Sequence, residues 1–229
     1  MNFKNVLKDW SKIEKALLFS SIIVILSVEI IFKSDILTTS CSLIGILAAL
    51  LLAKGKNLGQ LSGLITTILY SIVSYNNKFY GEVIIYFFLV LPMYVISIIS
   101  WLKHYNQKTK TVTIKKIDKH ECLLVFIVAI IMTIWTYFLL KSFNTNALIV
   151  LTISVMTSLT AVYFQIRRSR CVFYSYIVND FVLITLWLIP LIYGDIDVIL
   201  MIFNPIFNLL NDSYGVYNWK KLEIKQKAS

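Results

Sequence analysis

Apolar residues fall in eight long runs separated by short polar breaks, at 16–32, 36–53, 58–76, 79–101, 121–141, 146–166, 171–193 and 196–219. Crossing the hydrocarbon core of a bilayer as a helix takes about 20 residues, which these runs supply or approach. The pattern predicts an all-α membrane protein with eight transmembrane helices. The first run follows Lys4, Lys8, Lys12 and Lys15, but no small-residue cleavage site comes after Ile30-Ile31-Phe32. It is predicted to stay as an anchor helix, not to be removed as a signal peptide.

Polar residues inside these runs are few and periodic. On helix three, Gln60, Gly63, Thr67, Tyr70 and Ser74 recur at three- and four-residue steps, which places them on one face. Helix seven carries Phe173, Tyr176, Asp180, Leu183 and Trp187 with the same spacing. Helix eight adds Asn204, Asn208 and Asn211, with Asp212 beside them and Tyr214 and Trp219 beyond. Polar groups at bilayer depth are costly and normally face a cavity or a partner helix. The bland alternative for each Asn is a helix-to-helix hydrogen bond worth under about 1 kcal/mol. Asp180, near the middle of its span, is the strongest candidate for more than that.

A shared punctuation links the two halves. Tyr80-Gly81-Glu82, followed by Pro92, recurs 113 residues later as Tyr193-Gly194-Asp195, followed by Pro205. This offset carries helix two onto six, three onto seven and four onto eight. Helix five is left as a connector and helix one as an extra. Corresponding helices are four spans apart, so the halves are parallel repeats, a construction common among transporters. The reading is a single transmembrane domain over 1–229: an extra helix 16–32, a first repeat 36–101, a connector 121–141 and a second repeat 146–219. The offset also sets the helix-eight amides against Leu91, Val95, Ile98 and Ile99 on helix four, so the pocket is expected to be asymmetric. Glu82 and Asp195 are read as partners of helix amino termini. Pro92 and Pro205 are read as matched hinge points.

Charge orients the chain. Only 15% of residues are charged and 58% are hydrophobic, far from the balance of a soluble surface. Of the 22 Lys and Arg, all but Lys33, Lys78 and Lys141 fall on the side that holds both termini. The positive-inside rule puts that side in the cytoplasm, giving a multi-pass protein of the cell membrane with both termini cytoplasmic. Membrane lipid explains the net charge of +10, and no nucleic acid is needed. The polar linker 102–119 separates the halves. Trp101 and Trp219, near cytoplasmic ends, are read as interface anchors, whereas Trp187 and Tyr176 are candidates to stack on a flat ring.

Other chemistries lack their residues. His104 and His120 both flank the linker, so no intramembrane metal cluster is expected. No Gly-rich phosphate loop and no paired catalytic acids are recognisable, so the chain is read as a non-enzyme without a cofactor. Cys41, Cys122 and Cys171 are read as small core residues.

Three segments carry a resemblance: Gly59-Gln60 through Tyr80-Gly81-Glu82; Tyr176-Ile177-Val178-Asn179-Asp180 with Trp187; and Asn211-Asp212-Ser213-Tyr214-Gly215 with Trp219. Together they resemble the Pnu family of bacterial vitamin transporters, over about Lys12 to Trp219. The resemblance implies a fold related to the SWEET sugar transporters, in a three-plus-one-plus-three arrangement. It implies facilitated diffusion of nicotinamide riboside, trapped by a cytoplasmic riboside kinase, with Asn179 and Asn211 matching family asparagines. Where many members carry Trp-x-x-Trp at the start of helix seven, this chain reads Cys171-Val172-Phe173-Tyr174-Ser175-Tyr176. That departure leaves thiamine and riboflavin open as substrates; separately, proton-coupled uptake through Asp180 and a membrane sensor or assembly partner without transport also stay open. The expected substrate contacts are Gln60, Thr67, Tyr70, Tyr176, Asn179, Asp180, Trp187, Asn204, Asn208, Asn211 and Tyr214. Assembly into a homo-oligomer is left open.

Overall fold

Side-chain caps set several helix starts. Ser11 accepts from the Glu14 N–H while Glu14 Oε2 accepts from the Ser11 N–H, a reciprocal box that opens helix α1, Lys12–Phe32. Asp35 caps α2, Ile36–Ala53, by accepting from the Thr38 N–H, and Asp118 caps α5, Lys119–Ser142, by accepting from the Glu121 N–H at 2.7 Å. The other long helices are α3, Asn57–Asn76; α4, Tyr80–Lys103; α6, Leu148–Ile166; α7, Cys171–Ile192; and α8, Ile199–Lys227, preceded by a short 3₁₀ turn at Ile196–Val198. This computed structural model describes residues 9–33, 35–143 and 147–227. The expected start of helix six at 146, and the basic residues Lys4 and Lys8, lie outside the described residues.

Among the described residues, α1 to α7 are long and apolar enough to cross a membrane. Helix α8 is longer, but its asparagines, Asp212 and its lysine-rich end make it more polar than the rest. The chain is an all-α membrane protein, and its wide apolar exposure fits that setting: on α5 alone, Leu123, Phe126, Ile131, Ile134 and Phe138 all face outward.

The helices form a closed ring. Helix α2 packs on α3, α3 on α4, α4 on α6, α6 on α7, α7 on α8, and α8 returns to α2. Helix α1 lies outside against α2 and α8, and α5 lies outside against α6. A buried ion pair fastens α1: Lys54 Nζ is 2.5 Å from Glu14 Oε2 and 4.7 Å above the Trp10 ring, while Tyr214 OH donates to Glu14 Oε1 at 2.9 Å.

Helix α4 is interrupted. Its Tyr86–Val90 segment is a π-turn, closed by the Leu91 N–H on the Tyr86 carbonyl. The cause is Pro92, which offers no N–H to the Phe88 carbonyl and crowds it, and a widened turn relieves that crowding. Pro205 similarly sits inside α8 and donates no N–H to the Met201 carbonyl.

The polar linker is folded, not loose. Tyr105–Asn106 (β1) pairs antiparallel with Thr111–Val112 (β2). The Val112 N–H donates to the Gly55 carbonyl, the Val112 carbonyl accepts from Gln226, and Arg168 donates to the Thr113 carbonyl and to Ser100 Oγ. The hairpin thus ties the α2–α3 turn, the α6–α7 turn and the end of α8 together at the basic end of the bundle. Nearby, Glu121 bonds the Arg167 guanidinium and holds it above its ordinary range. The three cysteines are free, with Cys41 buried, Cys171 half-buried and Cys122 exposed, so the last is no core residue.

The two Tyr-Gly-acid triplets are not equivalent in space. Tyr80-Gly81-Glu82 opens α4, with Glu82 fully buried and accepting from Ser154 at 2.9 Å, whereas Tyr193-Gly194-Asp195 lies in the exposed turn between α7 and α8. Gly194 takes φ +92°, a turn conformation that carries no helix. Glu82 stands in the first turn of α4 and Asp195 directly precedes the 3₁₀ turn that leads into α8, so both acids lie at helix starts, one buried and one exposed. The reading of Trp101 and Trp219 is corrected: both are fully buried, with ring centroids 5.8 Å apart, and neither faces the membrane interface.

Candidate functional site

At the centre of the ring lies a cavity of about 140 Å³ to which all six ring helices contribute. Helix α2 supplies small side chains, Gly45, Ala48 and Ala49, that let α8 come close: a Cβ on Gly45 would lie 3.3 Å from the Asn204 amide. From α3 come Gly63, Thr66, Thr67 and Tyr70, from α4 Tyr86 and Tyr94, and from α6 Ser158 and Gln165. Helix α7 brings Tyr176, Asn179, Asp180, Leu183 and Trp187, and α8 brings Asn204, Pro205, Asn208 and Asp212.

Of the candidate contacts named above, Thr67, Tyr70, Tyr176, Asn179, Asp180, Trp187, Asn204 and Asn208 line this cavity together. Three do not. Gln60 is buried behind the wall, where it accepts from Gln165 at 2.7 Å. Asn211 is buried outside the cavity lining, and Tyr214 points to Glu14 on α1. Of the prolines, Pro205 is on the cavity wall, whereas Pro92 faces a separate apolar groove between α4, α5 and α6.

The aromatic wall is built by contact between helices. Tyr70 and Tyr86 have ring centroids 4.6 Å apart, and Trp187 meets Tyr70 edge-on at 6.0 Å while its Nε1 donates to the Tyr70 hydroxyl at 3.3 Å. Phe79 covers the other side of Trp187 at 5.2 Å. On α7, Asn179 Oδ1 accepts from Thr157 at 2.7 Å and from Ser158 at 2.9 Å, and Ser158 is 3.1 Å from the Tyr86 hydroxyl. Asn204 accepts from Asn208 at 3.3 Å.

Three acceptor oxygens on the wall are buried without a partner: Asp180 Oδ2, Asp212 Oδ1 and Asn208 Oδ1. Asp180 on α7 and Asp212 on α8 both line this cavity. Buried polar atoms of this kind call for a bound donor. Among the described lining residues there is no Lys, Arg or His.

The sequence reading missed Tyr86, Tyr94, Ser158 and Gln165. It took the matching face of α4 as Leu91, Val95, Ile98 and Ile99, but Val95 and Ile99 point outward and the cavity is met by Tyr86, Val90 and Tyr94. The fixed offset is the reason. Cavity-lining Tyr86, Val90 and Tyr94 stand 118 positions before cavity-lining Asn204, Asn208 and Asp212, as Trp101 stands 118 before Trp219, an interval longer than the 113 taken from the two Tyr-Gly-acid triplets. The aligned tryptophans were the signal that could have corrected it.

The model of a family described as nicotinamide mononucleotide transporter matches residues 35–221. The chain belongs to that family. It is therefore a multi-pass membrane transporter by family. It is similar to the nicotinamide riboside transporter PnuC of Neisseria mucosa, 27% identical over 205 residues, which are 86% of this chain and 76% of that protein. Its fold is similar to that in the crystal structure of the vitamin B3 transporter PnuC, with a TM-score of 0.84, 25% identity and 94% of each chain covered.

Proposed function

We propose that this chain carries nicotinamide riboside, not its mononucleotide, across the cell membrane by facilitated diffusion. The observation that carries the choice is the composition of the cavity wall. It offers Asp180, Asp212 and Asn208 oxygens without partners and no cationic side chain among its described residues. Hydroxyl and amide donors of the riboside, and its positively charged ring, complement such a wall. A phosphate would find amide donors there but no cationic partner among the described lining residues, and its negative charge would stand beside Asp180 and Asp212. The relative's name, a riboside transporter, agrees with this chemistry where the family description names the mononucleotide.

In this reading eight helices span the membrane with both termini in the cytoplasm, because the basic end collects nearly all Lys and Arg. Residues 36–101 and 146–219 are like-oriented triplets, 121–141 connects them and 16–32 is an addition; the ring order of helices supports this. The triplets rock about the cavity. A cytoplasmic kinase then adds a phosphate to the 5′-hydroxyl, and the product no longer fits the wall. Thiamine shares a cationic ring and stays as the second reading, while the neutral flavin ring of riboflavin gains nothing from the two carboxyls.

Titration calorimetry with riboside, mononucleotide and thiamine tests the choice. Riboside binding alone is expected, and equal binding of the mononucleotide would end the proposal. Vesicles holding the purified protein and a riboside kinase test transport: accumulation of mononucleotide inside is expected, unchanged by a protonophore.

A further inference from the structure

Two belts of polar contacts join α2–α4 to α6–α8, one at each end of the cavity. At the end away from the basic loops, Tyr86 meets Ser158, Ser154 donates to Glu82, and Trp187 donates to Tyr70. At the basic end, Gln165 Nε2 donates to Gln60 Oε1 at 2.7 Å and the Tyr176 hydroxyl donates to Gln165 Oε1 at 2.6 Å. Tyr176 is in turn 3.3 Å, oxygen to oxygen, from the Tyr94 hydroxyl. Four helices, α3, α6, α7 and α4, are linked in that order.

We propose that this chain of Gln60, Gln165, Tyr176 and Tyr94 is the inner gate of the carrier, with Gln165 as its positioning residue. The inference rests on the carrier reading and adds the element that controls release. The Gln60–Gln165 and Tyr94–Tyr176 bonds both cross between the triplets, so the basic end cannot open without parting both. Gln165 also holds what lies beyond: its backbone carbonyl accepts from Trp101 Nε1 at 2.8 Å, and Trp101 packs with Trp219, itself 5.1 Å from Phe173, in an aromatic cluster. Both ends of the Gln165 amide are engaged inside the protein, which suits a gate better than a ligand contact. Gln60 Nε2 is buried without a partner, so the network is incompletely satisfied and its opening is less costly than that of a fully paired one.

The test reads which side of the membrane reaches the cavity. Ala48, on the cavity wall, is changed to Cys in a protein whose own cysteines are replaced (Cys41→Ala, Cys122→Ala, Cys171→Ala), and a membrane-impermeant maleimide is applied to inside-out and right-side-out vesicles. Gln165→Leu removes both side-chain bonds at nearly constant volume. It is expected to raise labelling from the cytoplasmic side roughly 5–10-fold, the population shift for two interhelical bonds, with labelling from outside unchanged or lower. Tyr94→Phe removes one bond and is expected to give about 2–3-fold, which keeps the test open if Gln165→Leu does not fold. Unchanged labelling in both variants, or faster labelling from both sides as a merely loosened protein would show, overturns the gate. Absence of riboside binding to the background protein counts against the substrate, and the sidedness of labelling still decides the gate.

Discussion

Trp101 on α4 and Trp219 on α8 pack with their ring centroids 5.8 Å apart and their planes tilted by 48°, both fully buried. Each indole also crosses between helices: Trp101 donates to the Gln165 carbonyl and Trp219 donates to the Leu52 carbonyl at 3.1 Å. The pair ties α4 and α8 to the helices beside them.

Removing either ring leaves a void, while the carbonyl it bonded keeps a backbone partner, the Gly55 N–H on Leu52 and the Arg168 N–H on Gln165. Trp219→Ala and Trp101→Ala are expected to lower stability by about 3–5 kcal/mol each, with Trp219→Phe well below that. Unfolding in detergent measures this, and a Trp219→Ala protein as stable as the parent would show the pair to be loosely packed.

The Glu14–Lys54 pair that holds α1 is buried on both sides. Losing one partner strands the other charge, so Glu14→Gln and Lys54→Met are each expected to cost about 3–5 kcal/mol, and the double variant much less than their sum. A double-mutant cycle showing additive effects would remove the coupling.

Asp180 and Asp212 are expected to recognise the cationic ring. Asp180→Asn and Asp212→Asn should each weaken riboside binding about tenfold or more while leaving uncharged nicotinamide within about twofold. Calorimetry on the folded variants checks this, and an equal loss for both ligands would assign the carboxyls to packing.

Gly63 on α3 and Gly215 on α8 each make room for a ring: a Cβ would lie 2.5 Å from the Tyr94 ring at Gly63 and 2.3 Å from the Phe173 ring at Gly215. Gly63→Ala is expected to displace Tyr94, lower stability by about 1–3 kcal/mol and slow uptake. Gly63→Ala combined with Tyr94→Phe tests the cause, since a phenylalanine of the same girth should give no relief, whereas Tyr94→Ala should restore folding but not uptake.

The all-α membrane character, the polar stripes on α3, α7 and α8, and the basic end could all be read from the chain alone. Hydropathy, residue spacing and loop charge report what each segment needs from lipid and water, and those needs are local. Asp180, Asn204 and Trp187 were legible for that reason: a polar or amphipathic group at bilayer depth needs a cavity or a partner wherever it lies. Which partner it finds is not local. Tyr214 went to Glu14 and Gln60 to Gln165 because α1 and α6 happen to pack beside them. Tyr86 and Tyr94 line the cavity from a helix that a π-turn interrupts, against the register implied by the offset between the two Tyr-Gly-acid triplets. Helix rotation and helix neighbours follow from packing between segments far apart in the chain, and only the assembled ring decides them.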